Sequence, residues 1–207
     1  MKLQISLDLP DLNNALTLAK QVADSCDALE IGTVLIYKYG VLAIEKFKAE
    51  FPNKTVVADA KILDRGKLNA QVFSQPKADW VTVMAGTSNS VIHAACRTAK
   101  ENGMNVMLDL LDAKSLGQSA LEAKNLGVNA LLFHRPHDEK EELLFLDDWD
   151  MVHGNSDLPI FISAKIKREN VDAIVKLKPA GIIVGTSIVT AQDPAQEAQY
   201  FYDLVKK

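Results

Sequence analysis

The sequence predicts a single (β/α)8 barrel, the TIM-barrel architecture, formed by residues 1–207 as one domain. Short apolar runs rich in β-branched residues alternate with longer segments in which apolar residues recur every three or four positions. Eight such runs occur, and neither a long polar linker nor a low-complexity tract separates them. A chain of 207 residues is also the length expected of one small barrel.

The predicted strands are apolar runs of similar length. They cover residues 3–9, 28–32, 55–61, 80–86, 105–111, 130–136, 159–165 and 181–187. Helical patterns follow the strands. The residues predicted to cap helix N-termini are Asp11, Ser88 or Asn89, and Asp193 before Pro194. Gly103 and Gly127 are predicted to end helices. The segment "GKLNAQVFSQP" gives the weakest helix prediction. The rival architecture is an open doubly wound sheet, but "LDLPDLNN" lacks the glycine-rich turn expected after its first strand.

The composition is that of an ordinary globular protein, with 48% apolar and 24% charged residues. The formal net charge of −4 is the opposite of what a phosphate-binding nucleic-acid surface requires. No apolar run approaches the roughly 20 residues of a membrane span, and the N-terminus does not resemble a signal peptide. Cys26 and Cys96 lie in apolar helical patterns, which indicates buried thiols. We therefore expect a cytoplasmic protein that binds neither nucleic acid nor a membrane.

Polar residues interrupt the apolar pattern where the strands end. They are Asp8, Glu30, Asp59, Lys61, Asp109, His134, Ser163, Lys165 and Thr186 (after Gly185), with Asp64, Arg135 and His137 slightly beyond. The carboxyl ends of all eight strands meet at one mouth of a barrel, which is where active sites occur in this architecture. These residues are therefore the candidates for a functional site.

The predicted mouth carries an excess of negative charge. Four carboxylates, those of Asp8, Glu30, Asp59 and Asp109, face one lysine, Lys61. Unpaired buried charges cost several kcal/mol each, so a cation is expected to neutralise the excess. Oxygen ligands with open coordination positions suit Mg²⁺.

Structural explanations exist for each of these residues taken singly. Asp8 or Asp109 could cap the following helix, and Glu30 could pair with a lysine of the rim. His134 could be a hydrogen-bonded core histidine. The loop residues Arg135 and His137, and also Asp64, could simply face solvent. These explanations must hold at every strand end together to account for the pattern, which favours a functional site.

The motif "DAKILD" (residues 59–64) resembles the D-x-K-x-x-D motif of the orotidine 5′-monophosphate decarboxylase suprafamily. Within it, the chain resembles the branch that holds 3-hexulose-6-phosphate synthase and 3-keto-L-gulonate-6-phosphate decarboxylase. The resemblance runs from "MKLQISLD" through "EIGTVLI", "VMLDLLDA" and "FHRPHD" to "IIVGTSIVTAQDP". It implies a (β/α)8 barrel that works as a homodimer, with active sites at the subunit interface and a sugar phosphate as ligand.

The resemblance also implies roles for individual residues. Glu30 and Asp59 would hold Mg²⁺, and Lys61 would stabilise an enediolate. Asp64 would reach into the neighbouring subunit's site. The remaining pair, Asp109 and His134, would handle protons and substrate hydroxyls. Lys61 lies between two acids and should stay protonated, which suits an electrostatic donor better than a base.

The branch is indicated by a few positions. Asp109 favours the synthase, because the decarboxylase has a glutamate there, and Thr186 stands where the decarboxylase has an arginine. The pair His134–Arg135 favours the decarboxylase. We favour the synthase, a lyase that adds formaldehyde to ribulose 5-phosphate. A non-catalytic barrel that binds a sugar phosphate, and a metal-independent isomerase or epimerase, are alternatives of other classes.

One departure concerns the phosphate site. The family usually ends its seventh strand with two glycines, but this chain has Ala164 and Lys165 there, and it has Arg65 where glycine or alanine is usual. Lys165 could donate charge in place of an amide, or its bulk could block the site. The residues predicted to bind substrate are Asp8, Arg135, His137, Ser163, Lys165, Gly185 and Thr186.

Overall fold

The computed structural model describes residues 1–136 and 146–207, and within them eight parallel strands close into one barrel. The strands are β1 (Lys2–Leu7), β2 (Ala28–Ile31), β3 (Thr55–Ile62), β4 (Trp80–Met84), β5 (Asn105–Asp109), β6 (Ala130–His134), β7 (Ile160–Ser163) and β8 (Gly181–Val184). They pair in chain order, and β8 pairs with β1 to complete the ring. The predicted barrel is confirmed. All strands except β3 end one to three residues earlier than predicted.

Helices form the outer layer. They are α1 (Leu12–Val22), α2 (Thr33–Tyr39), α3 (Val41–Glu50), α4 (Gly66–Ser74), α5 (Asn89–Glu101), α6 (Leu116–Leu126), α7 (Leu146–His153), α8 (Val171–Lys176), α9 (Thr186–Val189) and α10 (Pro194–Lys206). Two of the predicted caps are confirmed: Asp11 Oδ1 accepts a hydrogen bond from the Asn14 N–H at 2.9 Å, and Asp193 Oδ1 accepts one from the Gln196 N–H at 3.0 Å. Ser88 stands at the N-cap position of α5, but its side chain makes no capping hydrogen bond. The weakly predicted segment forms α4. No helix in these ranges is long and apolar enough to cross a bilayer.

The inside of the barrel is filled by side chains. Strand residues alternate between the two faces of the sheet, and a separate cluster of buried residues occupies the inner face: Met107, Ala130, Leu132, Phe161 and Ile183. Gly181 makes room for the Phe161 ring, since a Cβ at this position would lie 2.5 Å from a ring carbon. The barrel is therefore a packed core below its mouth, and it is not a channel.

Five residues other than glycine have a left-handed backbone in the described ranges, and all five are cationic: Lys61, Arg65, Lys77, Lys165 and Lys178. Lys77 and Lys178 lie just after helices α4 and α8 at the base of the barrel, where such a conformation commonly ends a helix. The other three lie at the mouth, after β3 and β7 or within the end of β3. Strained backbone of this kind tends to collect at functional sites.

Candidate active site

Strand β3 loses its regular pairing with β4 where the charged residues begin. Residues 58–62 of β3 lie opposite residues 81–83 of β4, so that β3 advances by four residues where β4 advances by two. This irregularity is a β-bulge, which bends a strand and redirects its side chains. Lys61 lies within the bulge at φ +45°. Its Nζ is 3.1 Å from Asp59 Oδ1 and 3.0 Å from Oδ2.

The carboxylate of Asp59 is buried, and both of its oxygens accept hydrogen bonds. Thr33 Oγ1 donates to Oδ2 at 2.7 Å, and Thr82 Oγ1 donates to Oδ1 at 2.9 Å. The Lys61 ammonium is the third donor. These contacts fix the orientation of the carboxylate at the end of the strand.

Lys61 has a second acidic partner, Asp109 at the end of β5, whose Oδ2 lies 3.1 Å from the ammonium nitrogen. Burial by itself would lower the pKa of Lys61. The charges of Asp59 and Asp109 and their hydrogen bonds outweigh burial, so the pKa of Lys61 is raised above its ordinary value. Lys61 is thus held as an ammonium group between two carboxylates.

Asp109 has no exposed surface and also contacts His134, at the end of β6. His134 Nδ1 lies 2.9 Å from Asp109 Oδ2, and the Leu111 N–H donates to Oδ1 at 3.0 Å. Burial would raise the pKa of Asp109, but the hydrogen bond and charge of His134, followed by Lys61, lower it. Burial would conversely lower the pKa of His134, and its bond to Asp109 raises it. The pair therefore favours an ionised carboxylate beside a more basic imidazole.

Glu30 brings a further carboxylate to the mouth from β2. It is 6% exposed, Ser6 Oγ donates to its Oε1 at 2.6 Å, and Gln4 Nε2 donates to its Oε2. Burial, and then the negative charge of Asp59, raise the pKa of Glu30 to about 7, against the opposing hydrogen bonds. Glu30 and Asp59 are thus close enough to repel each other.

The repulsion between Glu30 and Asp59 bears on whether the mouth suits a metal ion, because a bound cation would offset it. Among the described residues, no group of three or more His, Cys, Asp or Glu side chains is arranged as a complete protein cage for a metal. Mg²⁺ commonly takes only one or two carboxylates and completes its shell with water and substrate oxygens. The adjacent carboxylates of Glu30 and Asp59 match this coordination preference. Glu30 and Asp59 are therefore chemically suited to Mg²⁺.

Two predicted residues lie outside this cluster. Asp8 is exposed and caps α2 from the neighbouring strand, because its Oδ1 accepts a hydrogen bond from the Val34 N–H at 3.0 Å. Gly32 permits this approach, since a Cβ there would lie 2.6 Å from Asp8 Oδ1. Asp64 is also exposed, and its Oδ1 accepts from the Arg65 N–H at 2.7 Å.

Arg135 directly follows His134 and is held by an ion pair. Its Nη2 lies 2.5 Å from Asp148 Oδ2 of α7, and its guanidinium carbon is 5.7 Å from the centre of the Phe133 ring. Its backbone N–H donates to the Ser163 carbonyl at 2.8 Å, which joins the ends of β6 and β7. The predicted substrate-binding residue His137 lies outside the described residues.

The remaining predicted residues follow β7 and β8. Ser163 ends β7 opposite His134, and Lys165 two positions later has φ +45°. The Ser187 hydroxyl donates to the Ile166 carbonyl at 2.6 Å and ties the two loops together. Gly185 precedes α9, in which Thr186 is the first residue and is exposed.

The site contains four hydrogen-bonding residues that the sequence analysis missed: Gln4, Ser6, Thr33 and Thr82. A signal for the first two was present, because Gln4, Ser6 and Asp8 alternate with apolar residues along β1 and so share one face. The hydroxyls of Thr33 and Thr82 gave no such signal, since threonine is common in strands and at helix starts.

The fold and this charged cluster together define a barrel enzyme whose site lies at the carboxyl ends of its strands. The chain belongs to the Orotidine 5'-phosphate decarboxylase / HUMPS family, whose sequence model matches residues 1–201. The resemblance noted in the sequence is thereby confirmed.

Curated relatives and solved structures resemble the chain over its whole length. It is 30% identical over 207 residues to the 3-hexulose-6-phosphate synthase of Bacillus subtilis (strain 168), covering 99% of both chains. It is 32% identical over 200 residues to that of Mycobacterium gastri, covering 96% of this chain and 97% of the relative. The crystal structure of 3-hexulose-6-phosphate synthase from Salmonella typhimurium superposes with a TM-score of 0.93 at 32% identity, covering 100% of this chain and 99% of that one.

Proposed function

We propose that this protein is a Mg²⁺-dependent lyase that acts on a ketose phosphate through a 1,2-enediolate, and that it adds formaldehyde to ribulose 5-phosphate as a 3-hexulose-6-phosphate synthase. One observation carries the proposal: the Lys61 ammonium lies 3.0 to 3.1 Å from the carboxylates of Asp59 and Asp109. An ammonium group held in this way can stabilise an enediolate. The choice of this particular reaction is supported by the full-length relatives, which are named 3-hexulose-6-phosphate synthase.

Lys61 would stabilise the negative charge that develops on the substrate. Removal of a C1 proton from ribulose 5-phosphate leaves an enediolate, with charge shared by two adjacent oxygens. A preorganised ammonium group in a water-poor site stabilises such charge far better than it would in bulk water. The raised pKa of Lys61 keeps it cationic throughout the reaction, so it acts as a hydrogen-bond donor and not as the base.

His134 is the group that would move the proton. Its Nδ1 is engaged by Asp109, so Nε2 is the nitrogen available for the substrate. Nε2 would accept the C1 proton, C1 would attack the formaldehyde carbon, and the imidazolium would return the proton to the new alkoxide. Asp109 would orient the ring and stabilise its charged form. This division of labour assigns the proton transfer to His134 alone.

Glu30 and Asp59 would hold the metal ion. When bound, Mg²⁺ would supply positive charge to the two oxygens of the enediolate. The metal charge would offset the repulsion between the two carboxylates, which is the second cause of the raised pKa of Glu30 after burial. Gln4 and Ser6 would hold Glu30 in place by their hydrogen bonds.

The substrate phosphate would bind on the opposite side of the mouth, at the loops that follow β7 and β8. Ser163, Lys165, Gly185 and Thr186 remain the predicted ligands. The left-handed backbone of Lys165 supports this assignment, because this conformation is the one that glycine would adopt without strain. Asp8, Arg135 and His137 also stay predictions. Asp8 and Arg135 are engaged by Val34 and Asp148, so they would need to exchange those partners.

A homodimer with shared sites is part of the proposal. Exposed apolar side chains on the elements that flank β3 in the chain form the patch proposed as the interface: Val34, Tyr37, Leu42, Leu63, Leu68 and Val72, of which Tyr37 is 82% exposed. Helices α2, α3 and α4 carry them, apart from Leu63 in the loop before α4. Exposed apolar surface of this kind is typical of an interface. Asp64 directly follows Leu63 and is exposed, so it could reach the site of the second subunit.

The test is a side-by-side assay with purified protein and Mg²⁺. We expect hexulose 6-phosphate to form from ribulose 5-phosphate and formaldehyde, and we expect Lys61→Ala to abolish most of that activity. Lys77→Ala is the matched control. Lys77 has a left-handed backbone, as Lys61 does, but it is exposed and lies at the base of the barrel. Activity of Lys61→Ala equal to that of the control would refute the proposed role.

The second candidate is decarboxylation of 3-keto-L-gulonate 6-phosphate, which passes through a similar enediolate. The adjacent His134 and Arg135 favour it, so this substrate forms the other arm of the assay. Tight binding of a sugar phosphate without turnover of either substrate would indicate instead a non-catalytic barrel. We also propose a cytoplasmic location, in keeping with the buried free thiols of Cys26 and Cys96.

A further inference from the structure

Thr82 is the hydroxyl-bearing residue of an otherwise apolar strand, "WVTVM", and its side chain is 1% exposed. Valine has nearly the same shape and would fill the same space. Packing therefore gives no reason for a hydroxyl at this position. The reason must lie in the hydrogen bonds that the hydroxyl makes, since a buried polar group is costly unless it is satisfied.

The Thr82 hydroxyl makes two hydrogen bonds, and both go to the catalytic end of β3. It accepts from the backbone N–H of Lys61 at 2.8 Å, and it donates to Asp59 Oδ1 at 2.9 Å. A hydroxyl can donate and accept at the same time, so both contacts are formed together. One side chain thus connects the backbone of the lysine with the carboxylate that its ammonium contacts.

The first of these bonds falls at a strained position. Lys61 has φ +45° within the bulge, a conformation that residues with a Cβ adopt only when their surroundings impose it. The register shift also removes the regular ladder at this point, and the Thr82 hydroxyl is the acceptor that the Lys61 N–H finds. Losing this bond would let the backbone relax and would move the ammonium away from its place between Asp59 and Asp109.

We propose that Thr82 is a positioning residue, which holds Lys61 in its left-handed conformation and aligns Asp59 with it. The proposal rests on the proposed function only in taking Lys61 as the catalytic cation. Thr33 provides a natural comparison, because its hydroxyl contacts Asp59 but makes no bond to the Lys61 backbone. Thr33→Val thus removes contacts to the Asp59 carboxylate and to the Asp59 backbone carbonyl, whereas Thr82→Val removes a contact to the carboxylate together with the support of the Lys61 N–H.

Amide hydrogen exchange measured by NMR tests the contact without reference to activity. In Thr82→Val the Lys61 N–H should exchange at least about tenfold faster than in the wild type, because its acceptor is gone. In Thr33→Val the exchange of the Lys61 N–H should not change. The Val106 N–H, which donates to the Asn129 side chain at 2.8 Å, serves as the internal reference in both variants. Unchanged exchange at Lys61 in Thr82→Val would overturn the proposal.

Kinetics separates a positioning role from a merely structural one. We expect Thr82→Val to lower kcat about 10- to 100-fold with little change in KM for ribulose 5-phosphate, and we expect Thr82→Ser to recover most of that loss. A raised KM with unchanged kcat, or no recovery in Thr82→Ser, would overturn the proposal. If Thr82→Val does not fold, Thr82→Cys, whose thiol is a weak acceptor, is measured by the same criteria. A wild-type protein without lyase activity would refute the proposed function, while the exchange measurement would still decide whether Thr82 holds Lys61.

Discussion

Replacing Asp109 by asparagine should destabilise the protein strongly, because Asp109 is the carboxylate shared by the two cationic groups of the site. It has no exposed surface, and it lies 3.1 Å from Lys61 Nζ and 2.9 Å from His134 Nδ1. Removing one partner of a buried ion pair typically costs 3–5 kcal/mol. Lys61 keeps both contacts to Asp59, and asparagine keeps one oxygen, so we expect the lower end, about 3 kcal/mol. For a chain of this size, that is a fall in Tm of roughly 6–12 °C.

The destabilisation should also depend on pH in a defined direction. The folded-state pKa of His134 is raised, so its bond to Asp109 contributes fully below the unfolded-state pKa of about 6.5 and is lost as the pH rises through the folded-state pKa. The pKa of Asp109 is lowered, so its contribution is present above about pH 4 and is lost only on further acidification. The cost of Asp109→Asn should therefore be larger at pH 5.5 than at pH 9.5. Lys61 is still protonated at the higher pH and accounts for the cost that remains there.

Urea denaturation at the two pH values, followed by circular dichroism, measures this cost directly. Asp172→Asn, at an exposed position in the first turn of α8, is the control and should change the free energy of unfolding by no more than about 1 kcal/mol, the usual contribution of an acid at a helix N-terminus. A cost of Asp109→Asn no larger than that of Asp172→Asn at pH 5.5, or a cost that grows toward pH 9.5, would show that Asp109 does not hold the two cationic groups as described.

Other predictions address the base, the metal ligand, the lysine and the interface. The kcat/KM should rise with pH through a limb whose midpoint lies above 6.5, the ordinary pKa of histidine, because His134 must be neutral to accept a proton; His134→Gln should abolish this limb. Glu30→Gln should stabilise the metal-free protein by roughly 2–3 kcal/mol at pH 8, because ionised Glu30 costs stability increasingly from pH 4.5 to about 7. Added Mg²⁺ should raise the Tm of the wild type but not that of Glu30→Gln. Lys61→Ala should lower kcat by about 10²- to 10³-fold. Tyr37→Lys should convert the proposed dimer to a monomer.

Each of these outcomes has its own check. Initial rates between pH 5.5 and 9 measure the limb, and a limb that survives in His134→Gln would assign the base elsewhere. Thermal melts with and without MgCl₂ test Glu30, and an equal rise of Tm in both proteins would place the metal at other ligands. Light scattering after gel filtration tests the interface. Leu121→Lys is its control, since Leu121 is 56% exposed on α6, away from the patch, and should leave the dimer intact.

The apolar alternation and the residues at the strand ends were sufficient to predict the barrel and the meeting of Glu30, Asp59, Lys61, Asp109 and His134 at its mouth. Both follow from local rules, namely the period of two along a strand and the common direction of parallel strands. Such rules assign a residue to the mouth, but they do not say which partner it meets there.

The partners depend on register, which a single sequence does not reveal. Ser6 lies opposite Glu30 because β1 and β2 pair with that offset, and a shift of one residue would turn Ser6 to the other face. Lys61 is a harder case, because lysine gives no sign of a left-handed backbone and the bulge depends on β4 as well as β3. Asp8 shows the same limit, since its cap belongs to α2, which follows the next strand and not its own.

The packed interior around Phe161, with Gly181 shaped to receive its ring, gives the molecule a closed floor. Reactants and products of the proposed reaction would then enter and leave at the open mouth of the barrel. Bound ribulose 5-phosphate would cover the smaller formaldehyde molecule. The hexulose 6-phosphate product would have to leave before new reactants could bind. Substrate entry and product release at the mouth, and not only the chemical step, would then set the order in which the reactants bind and the rate of turnover.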